Sequence, residues 1–173
     1  MKTRLHTLER RSFIRTAGAA TLATIGSPSA YTAIAAAKSQ KPESLVKILY
    51  QKLDERQRKV VCFPWNHIDK RRGLLRTRIE NNWRITKPII ASGFFSKDQQ
   101  ELIRAIFEGM TNPEWHTRFD KQLKDDVGGF GKNQSIAVFG EPGSGNFEFV
   151  LTSRHMTLRC DGDSAGHVAF GGP

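Results

Sequence analysis

The hydrophobic periodicity of this chain changes at a cluster of three glycines, Gly128, Gly129 and Gly131. Before the cluster, apolar residues recur every three or four positions, which is the spacing of an amphipathic helix. After it, apolar and polar residues alternate in short runs bounded by turn residues, which is typical of antiparallel strands. Because the two patterns occupy separate parts of the chain, we expect an α+β fold in which N-terminal helices are followed by an antiparallel β-meander.

Four segments before the glycines carry helix signals. Pro42 opens the first, and Asp54 has the position of an N-cap for a short second helix. Ser96 and Gln99 form a capping box ahead of the third, and Asn112 caps the fourth. Residues 65–88 are rich in charge and lack clear periodicity. We therefore expect a long irregular segment there, with one short strand at 83–86.

Strand-like runs lie at 136–139, 147–152 and 155–160, followed by a turn at 161–164 and a further short run at 167–170. Their regular spacing between turns predicts consecutive hairpins. The Gly-Glu-Pro-Gly-Ser-Gly sequence that joins the first two runs lacks the lysine that a phosphate-binding loop requires. It is therefore predicted to be a hairpin loop.

Residues 1–37 have the layout of a twin-arginine export signal. Arg10 and Arg11 are followed by a polar residue and then by Phe13 and Ile14. A mildly apolar run of about ten residues and a small-residue cleavage site near Ala35 come next. That run is shorter than the roughly 20 residues that span a bilayer. We expect the twin-arginine translocase as a partner, a periplasmic or other extracytoplasmic location, and no transmembrane anchor after cleavage. The alternative is a basic N-terminus with a chance pair of arginines.

Removal of the signal changes the charge of the chain. Five of the 27 basic residues and one of the 17 acidic residues lie within residues 1–37, so the rest carries a net charge of +6 instead of +10. Residues 38–173 have the size of one domain with its own hydrophobic core. We expect a single α+β domain in this segment.

The two cysteines, Cys62 and Cys160, each end an apolar run with β character. A disulfide between them would persist outside the cytoplasm. By closing a long loop it would contribute about 4–5 kcal/mol in the chain-entropy model. The alternative is a pair of buried free thiols, since cysteine is among the most buried residue types.

Histidines and aspartates are concentrated around the turn at 161–164. His155 and His167 flank this turn, and Asp161 and Asp163 lie within it. Pairing of the flanking strands would bring the two imidazoles together, with carboxylates nearby, and such a donor set suits a divalent metal. The alternative is an ordinary Gly/Asp turn with two exposed histidines.

A basic stretch runs from Lys70 to Lys87 and contains a single acid, Glu80, with Trp65 before it and Trp83 within it. It predicts a face for an anionic ligand. Nucleic acid is not an expected partner, because export removes the protein from it. The alternative is a solvated basic loop. The arginines assigned to the face are Arg71, Arg72, Arg76, Arg78 and Arg84.

Three segments carry a resemblance to a known family: Val138–Pro142, His155–Leu158 and Ala169–Pro173. They resemble motifs of a family of exported bacterial proteins known only as a domain of unknown function. Ser153-Arg154-His155 stands where that family has Gly-His-His, so only the second histidine corresponds. The resemblance directs attention to His155, and it implies that residues 38–173 are the N-terminal portion of a longer domain. It implies no activity.

These observations lead to two functional hypotheses. The first is an exported protein that binds a divalent metal or a small ligand, with any catalysis assisted by the metal. The second is a non-catalytic binding or structural protein of the cell envelope that uses the basic face. A truncated, inactive family member is a further interpretation. The sequence contains no Ser-His-Asp motif, zinc-protease helix or haem-attachment cysteine pair, so it predicts no catalytic residue.

Overall fold

A computed structural model describes residues 41–161 of the chain. The predicted export signal and the predicted metal ligands Asp163 and His167 lie outside this range. Within the range, no helix combines the length and the apolarity that crossing a bilayer requires. The α-helices of the range are α1 (Pro42–Lys52), α2 (Glu55–Val61), α3 (Lys97–Gly109) and α4 (His116–Val127).

The strands of the described range are β1 (Cys62–Phe63), β2 (Ile68–Asp69), β3 (Gly73–Leu74), β4 (Ser135–Gly140), β5 (Phe147–Ser153) and β6 (Met156–Asp161). Strands β4, β5 and β6 form the predicted antiparallel meander, and β1 pairs in parallel with β4 at the edge of the same sheet. Strands β2 and β3 form a separate hairpin. The α+β class is confirmed. The predicted helix-first order is confirmed only in part, because β1, β2 and β3 precede α3 and α4.

One face of the sheet packs against the helices. Ile136 and Val138 of β4, and Phe149 and Leu151 of β5, are completely buried there. Burial of one such side chain stabilises the fold by about 1.5–3 kcal/mol, so this face forms the main core. The helices contribute Leu45, Val46, Leu49, Ile103, Ile106 and Phe107 to it.

The opposite face of the sheet is buried as well. Phe139 and Val150 point to this side and are inaccessible to solvent. The segment predicted to be an irregular loop therefore forms a layer over the sheet. Its predicted strand at 83–86 is not formed, and only an isolated bridge joins Asn82 to Arg154 of the sheet hairpin. The residues of the layer that contact this face are Leu75, Trp83 and Ile85, with Phe63 and Trp65 beside them.

Two capping boxes join the beginnings of α2 and α3. The predicted box is confirmed, because Ser96 Oγ accepts the Gln99 N–H at 3.2 Å and Gln99 Oε1 accepts the Ser96 N–H at 2.9 Å. Asp54 and Gln57 form a second box at the start of α2. The two buried glutamine side chains donate to each other at 2.8 and 2.9 Å. Each cap therefore supports the other.

Of the two alternatives for the cysteines, the structure has the free thiols: Cys62 and Cys160 do not form a disulfide. Cys62 pairs with Val138, Val138 with Phe149, and Phe149 with Cys160, so the cysteines occupy one row on the first and fourth strands of the sheet. Three strand spacings place them about 14 Å apart. A disulfide requires Cα atoms within about 7 Å, so β4 and β5 keep these thiols out of reach of each other.

Candidate functional site

The structure separates two of the predicted metal ligands. His155 lies in the turn before β6, and Asp161 ends that strand. Six residues of extended chain place them about 20 Å apart. The described residues contain no group of three or more His, Cys, Asp or Glu side chains that could hold a metal ion. A metal centre that includes both His155 and Asp161 is therefore not formed.

His155 has a structural role at the β5–β6 turn. Its φ of 56° is left-handed, and its backbone N–H donates to the Asn81 carbonyl at 2.6 Å. Its Nδ1 lies 2.6 Å from Asn81 Oδ1, and Arg154 Nε donates to its Nε2 at 3.2 Å. A guanidinium N–H can only donate, so Nε2 accepts from Arg154, and Asn81 Oδ1 can only accept, so Nδ1 donates to it. Both ring nitrogens are therefore occupied, and neither offers a free lone pair to a metal.

Three of the five predicted ligand-binding arginines are held by acids within the fold. Arg72 contacts Asp69 at 3.0 Å. Arg76 lies 3.7 Å from Glu148, and its guanidinium stacks 4.1 Å from the centre of the Trp65 ring. The contact of Arg76 with Glu148, a residue of β5, joins the layer to the sheet. The guanidinium of Arg78 forms an ion pair with the carboxylate of Glu80.

Asp69 organises the β2–β3 hairpin. Its Oδ1 accepts the backbone N–H groups of Arg71 and Arg72, each at 2.9 Å. The Arg72 side chain and these two N–H groups hold the pKa of the Asp69 carboxyl well below its usual range. Arg71 itself is exposed at the tip of this hairpin.

A buried ion pair fixes the layer to the sheet. Arg159 of β6 is 9% exposed and lies 2.8 Å from Glu148 of β5. Its guanidinium also donates to the carbonyls of Arg76 and Arg78, at 2.8–3.1 Å. Burial raises the pKa of the Glu148 carboxyl, while the charges of Arg159 and Arg76 oppose that rise. Arg159 therefore links the sheet to the chain that leads into residues 82–87.

Residues 82–87 are attached to the sheet at alternate positions. Trp83 Nε1 donates to Thr157 Oγ1 at 3.0 Å, and the Ile85 N–H donates to Thr152 Oγ1 at 2.9 Å. In extended chain, neighbouring side chains point to opposite sides. Arg84, between these two anchors, is consequently exposed to solvent.

The same segment lines a groove of about 780 Å³, which we call the basic groove. Its charged lining residues are Arg72, Arg84 and Lys87, and no carboxylate is among them. Arg84 and Lys87 are exposed and make no ion pair within residues 41–161. The groove therefore presents two uncompensated positive charges. Its other lining residues are Val60, Phe63, Asn82, Trp83, Ile85, Thr86 and Asn133.

The lining of the groove contains few of the side chains that serve as general acids or bases. No histidine, cysteine or carboxylate lines it, and its one lysine, Lys87, is exposed to solvent. The cysteines elsewhere are inert, because burial raises the pKa of Cys62 to about 11 and that of Cys160 to about 12. Both remain protonated at neutral pH, and a thiol is a poor nucleophile compared with its thiolate.

The sequence interpretation missed part of this site. Asn82 and Asn133 line the groove, yet they are far apart in the chain and carry no motif. One signal was present: Arg84 lies between the two large apolar residues Trp83 and Ile85. Such alternation indicates a strip of chain with one buried and one exposed side.

Two of the segments that carry the family resemblance fall within the described range. Val138–Pro142 covers the end of β4 and the start of the loop to β5, and His155–Leu158 covers the turn and the start of β6. Neither segment lines the basic groove. The comparisons with known proteins add no further support, since the chain matches no family model, no curated protein and no solved structure.

Proposed function

We propose that this is an exported, non-catalytic binding protein that holds an anionic ligand in the basic groove. The observation that carries the proposal is the pair of exposed cations, Arg84 and Lys87, in a concave lining without a carboxylate. Concave surfaces lined by one sign of charge concentrate ligands of the opposite sign. The alternative hypothesis of a metal centre has less support, because His155 is occupied by Asn81 and Arg154.

We expect the double variant Arg84→Gln/Lys87→Gln to bind long-chain inorganic polyphosphate about tenfold more weakly than the wild type at low salt, because two phosphate contacts are lost. Titration calorimetry of the full chain measures this effect, with the N-terminal basic residues contributing equally to every variant.

The matched control is Lys70→Gln/Arg71→Gln. It removes the same charge from exposed residues of the same basic stretch, and neither residue lines the groove. We expect the control to weaken binding by less than about threefold, since it alters only the long-range field. Equal losses in both variants would contradict the proposal, and so would failure of the wild type to bind any anionic polymer.

Export is supported by the order of the motif, the apolar run and the cleavage site within residues 1–37. We expect a folded reporter fused behind these residues to leave the cytoplasm. The change Arg10→Lys/Arg11→Lys should retain the reporter, although it preserves the charge, because the motif requires arginine. Arg4→Lys is the control and should be exported normally. Cell fractionation measures the outcome, and equal export of the Lys-Lys variant would refute the twin-arginine interpretation.

A further inference from the structure

The basic groove continues into a second concavity of about 570 Å³, which we call the side depression. Arg84 and Lys87 line both, so the two concavities meet at this pair. Arg56 of α2 lines the side depression only, and Arg72 lines the basic groove only. No carboxylate lines either concavity. Positive charge therefore extends continuously from one concavity into the other.

The aromatic rings along this surface are already in contact with other groups. The Phe63 ring lies 4.7 Å from the His67 ring and 5.4 Å from the Phe139 ring, between centres. The Arg56 guanidinium lies 5.5 Å from the centre of the Phe94 ring. Trp83 is only 6% exposed, and its Nε1 is bonded within the fold. Recognition of single-stranded nucleic acid depends on open rings on which bases stack, and these rings do not provide them.

We propose that the ligand is a linear polyanion without aromatic groups, a chain of phosphates or of carboxylated sugars that lies across both concavities and over Arg84 and Lys87. This inference rests on the proposed function, because it assigns a ligand class to the same groove. A small anion would need only the shared pair of cations, whereas a chain also reaches the exposed Arg56 in the side depression. The affinity of a chain rises with each cation that it neutralises, since each contact releases counterions.

The experiment compares pyrophosphate with long-chain polyphosphate, at equal phosphate concentration and low salt, for the full chain and for Arg56→Gln. We expect Arg56→Gln to weaken binding of the long chain about threefold to tenfold and to leave pyrophosphate binding unchanged. Lys59→Gln is the matched control. It removes one charge from an exposed residue of the same helix that lines neither concavity, and we expect it to change neither affinity.

Two further arms fix the chemical class. The affinities for polyglucuronate and for polyphosphate are compared, which shows whether the groove prefers carboxylate or phosphate groups. Tight binding of either polymer supports the inference. An oligothymidylate with the same number of charges should bind more weakly than whichever of these two polymers binds better. The inference would be overturned if the oligothymidylate bound more tightly than the better of these two polymers. It would also be overturned if neither non-aromatic polymer bound more tightly than pyrophosphate. If this inference fails but Arg84→Gln/Lys87→Gln still weakens pyrophosphate binding, the proposed function is supported and only the ligand class is wrong. The failure of the inference can therefore be distinguished from the failure of the proposed function.

Discussion

Arg159→Ala is expected to lower the free energy of unfolding by about 3–5 kcal/mol, because it leaves a buried carboxylate without its closest partner. Arg159 lies 2.8 Å from Glu148, and its guanidinium donates to the carbonyls of Arg76 and Arg78. After the substitution, Arg76 at 3.7 Å is the cation that still pairs with Glu148, while Asp161, opposite Glu148 on β6, adds a like charge. The layer that carries residues 82–87 also loses its attachment to β6. We therefore expect weaker polyphosphate binding as well as lower stability.

The effect of Arg159→Ala should depend on pH in a defined direction. Burial already raises the pKa of Glu148 above its ordinary value of 4.5, and Arg159 is the largest influence that lowers it again. A carboxyl whose pKa is raised in the folded state stabilises the fold below its ordinary pKa, and that contribution is lost as the pH rises through the folded-state value. Removal of Arg159 raises the pKa further. The variant should therefore lose more stability at pH 7 than at pH 4.

Urea denaturation of the variant and the wild type at both pH values measures this loss. Arg154→Ala is the control, because Arg154 belongs to the same hairpin and pairs with Asp126 at 3.3 Å, but its side chain is 48% exposed. Arg154→Ala should lower the free energy of unfolding by less than about 1 kcal/mol. The assigned role of Arg159 would be contradicted if both variants lost a similar free energy of unfolding. It would also be contradicted if Arg159→Ala lost more at pH 4 than at pH 7.

The two capping boxes are expected to behave as one unit. We expect Gln99→Leu and Gln57→Leu each to lower the free energy of unfolding by about 2–4 kcal/mol, since each leaves buried polar groups without partners. Gln99 also donates to the Lys52 carbonyl at 2.8 Å, and Gln57 to the Phe94 carbonyl at 2.6 Å. Each substitution therefore affects a cap and a long-range contact together.

The double variant Gln57→Leu/Gln99→Leu provides the decisive comparison. The double variant should lower the free energy of unfolding by less than the sum of the two single effects. The reason is that each single substitution already breaks the hydrogen bonds between the two glutamine side chains. Gln122→Leu, at an exposed position of α4, is the control for the substitution itself. Thermal or urea unfolding measures all four variants. Strictly additive losses would show that the two caps are independent.

Features that depend on neighbours in the chain were predicted well. The Ser96 capping box is confirmed, because its signal spans four consecutive residues. The Asn112 cap is confirmed too, although the helix it opens begins with a 3₁₀ turn before α4. The strands at 136–139, 147–152 and 155–160 are found as β4, β5 and β6. Their periodicity and their turns are local properties, and the structure preserves them.

Features that depend on distant pairing were not predicted. Strand β1 has only two residues and joins β4 from more than 70 positions away, so no local pattern marks it. Glu148 and Thr152 are polar residues of the alternating pattern in β5, and the charged layer buries both. Arginines acquire specific partners there, such as Glu148 for Arg159. The basic stretch therefore divides into structural arginines and exposed cations, a division that its composition does not reveal.

The central claim is that anionic ligands bind at Arg84 and Lys87, and amide chemical shifts test it most directly. The full chain, labelled with ¹⁵N, is titrated with a short polyphosphate. We predict that the largest shifts fall on residues 82–89 and 92–94, together with Arg56 and Asn133, which line the two concavities. Shifts concentrated on the exposed basic residues of α4, or on the β2–β3 hairpin tip at Arg71, would contradict it.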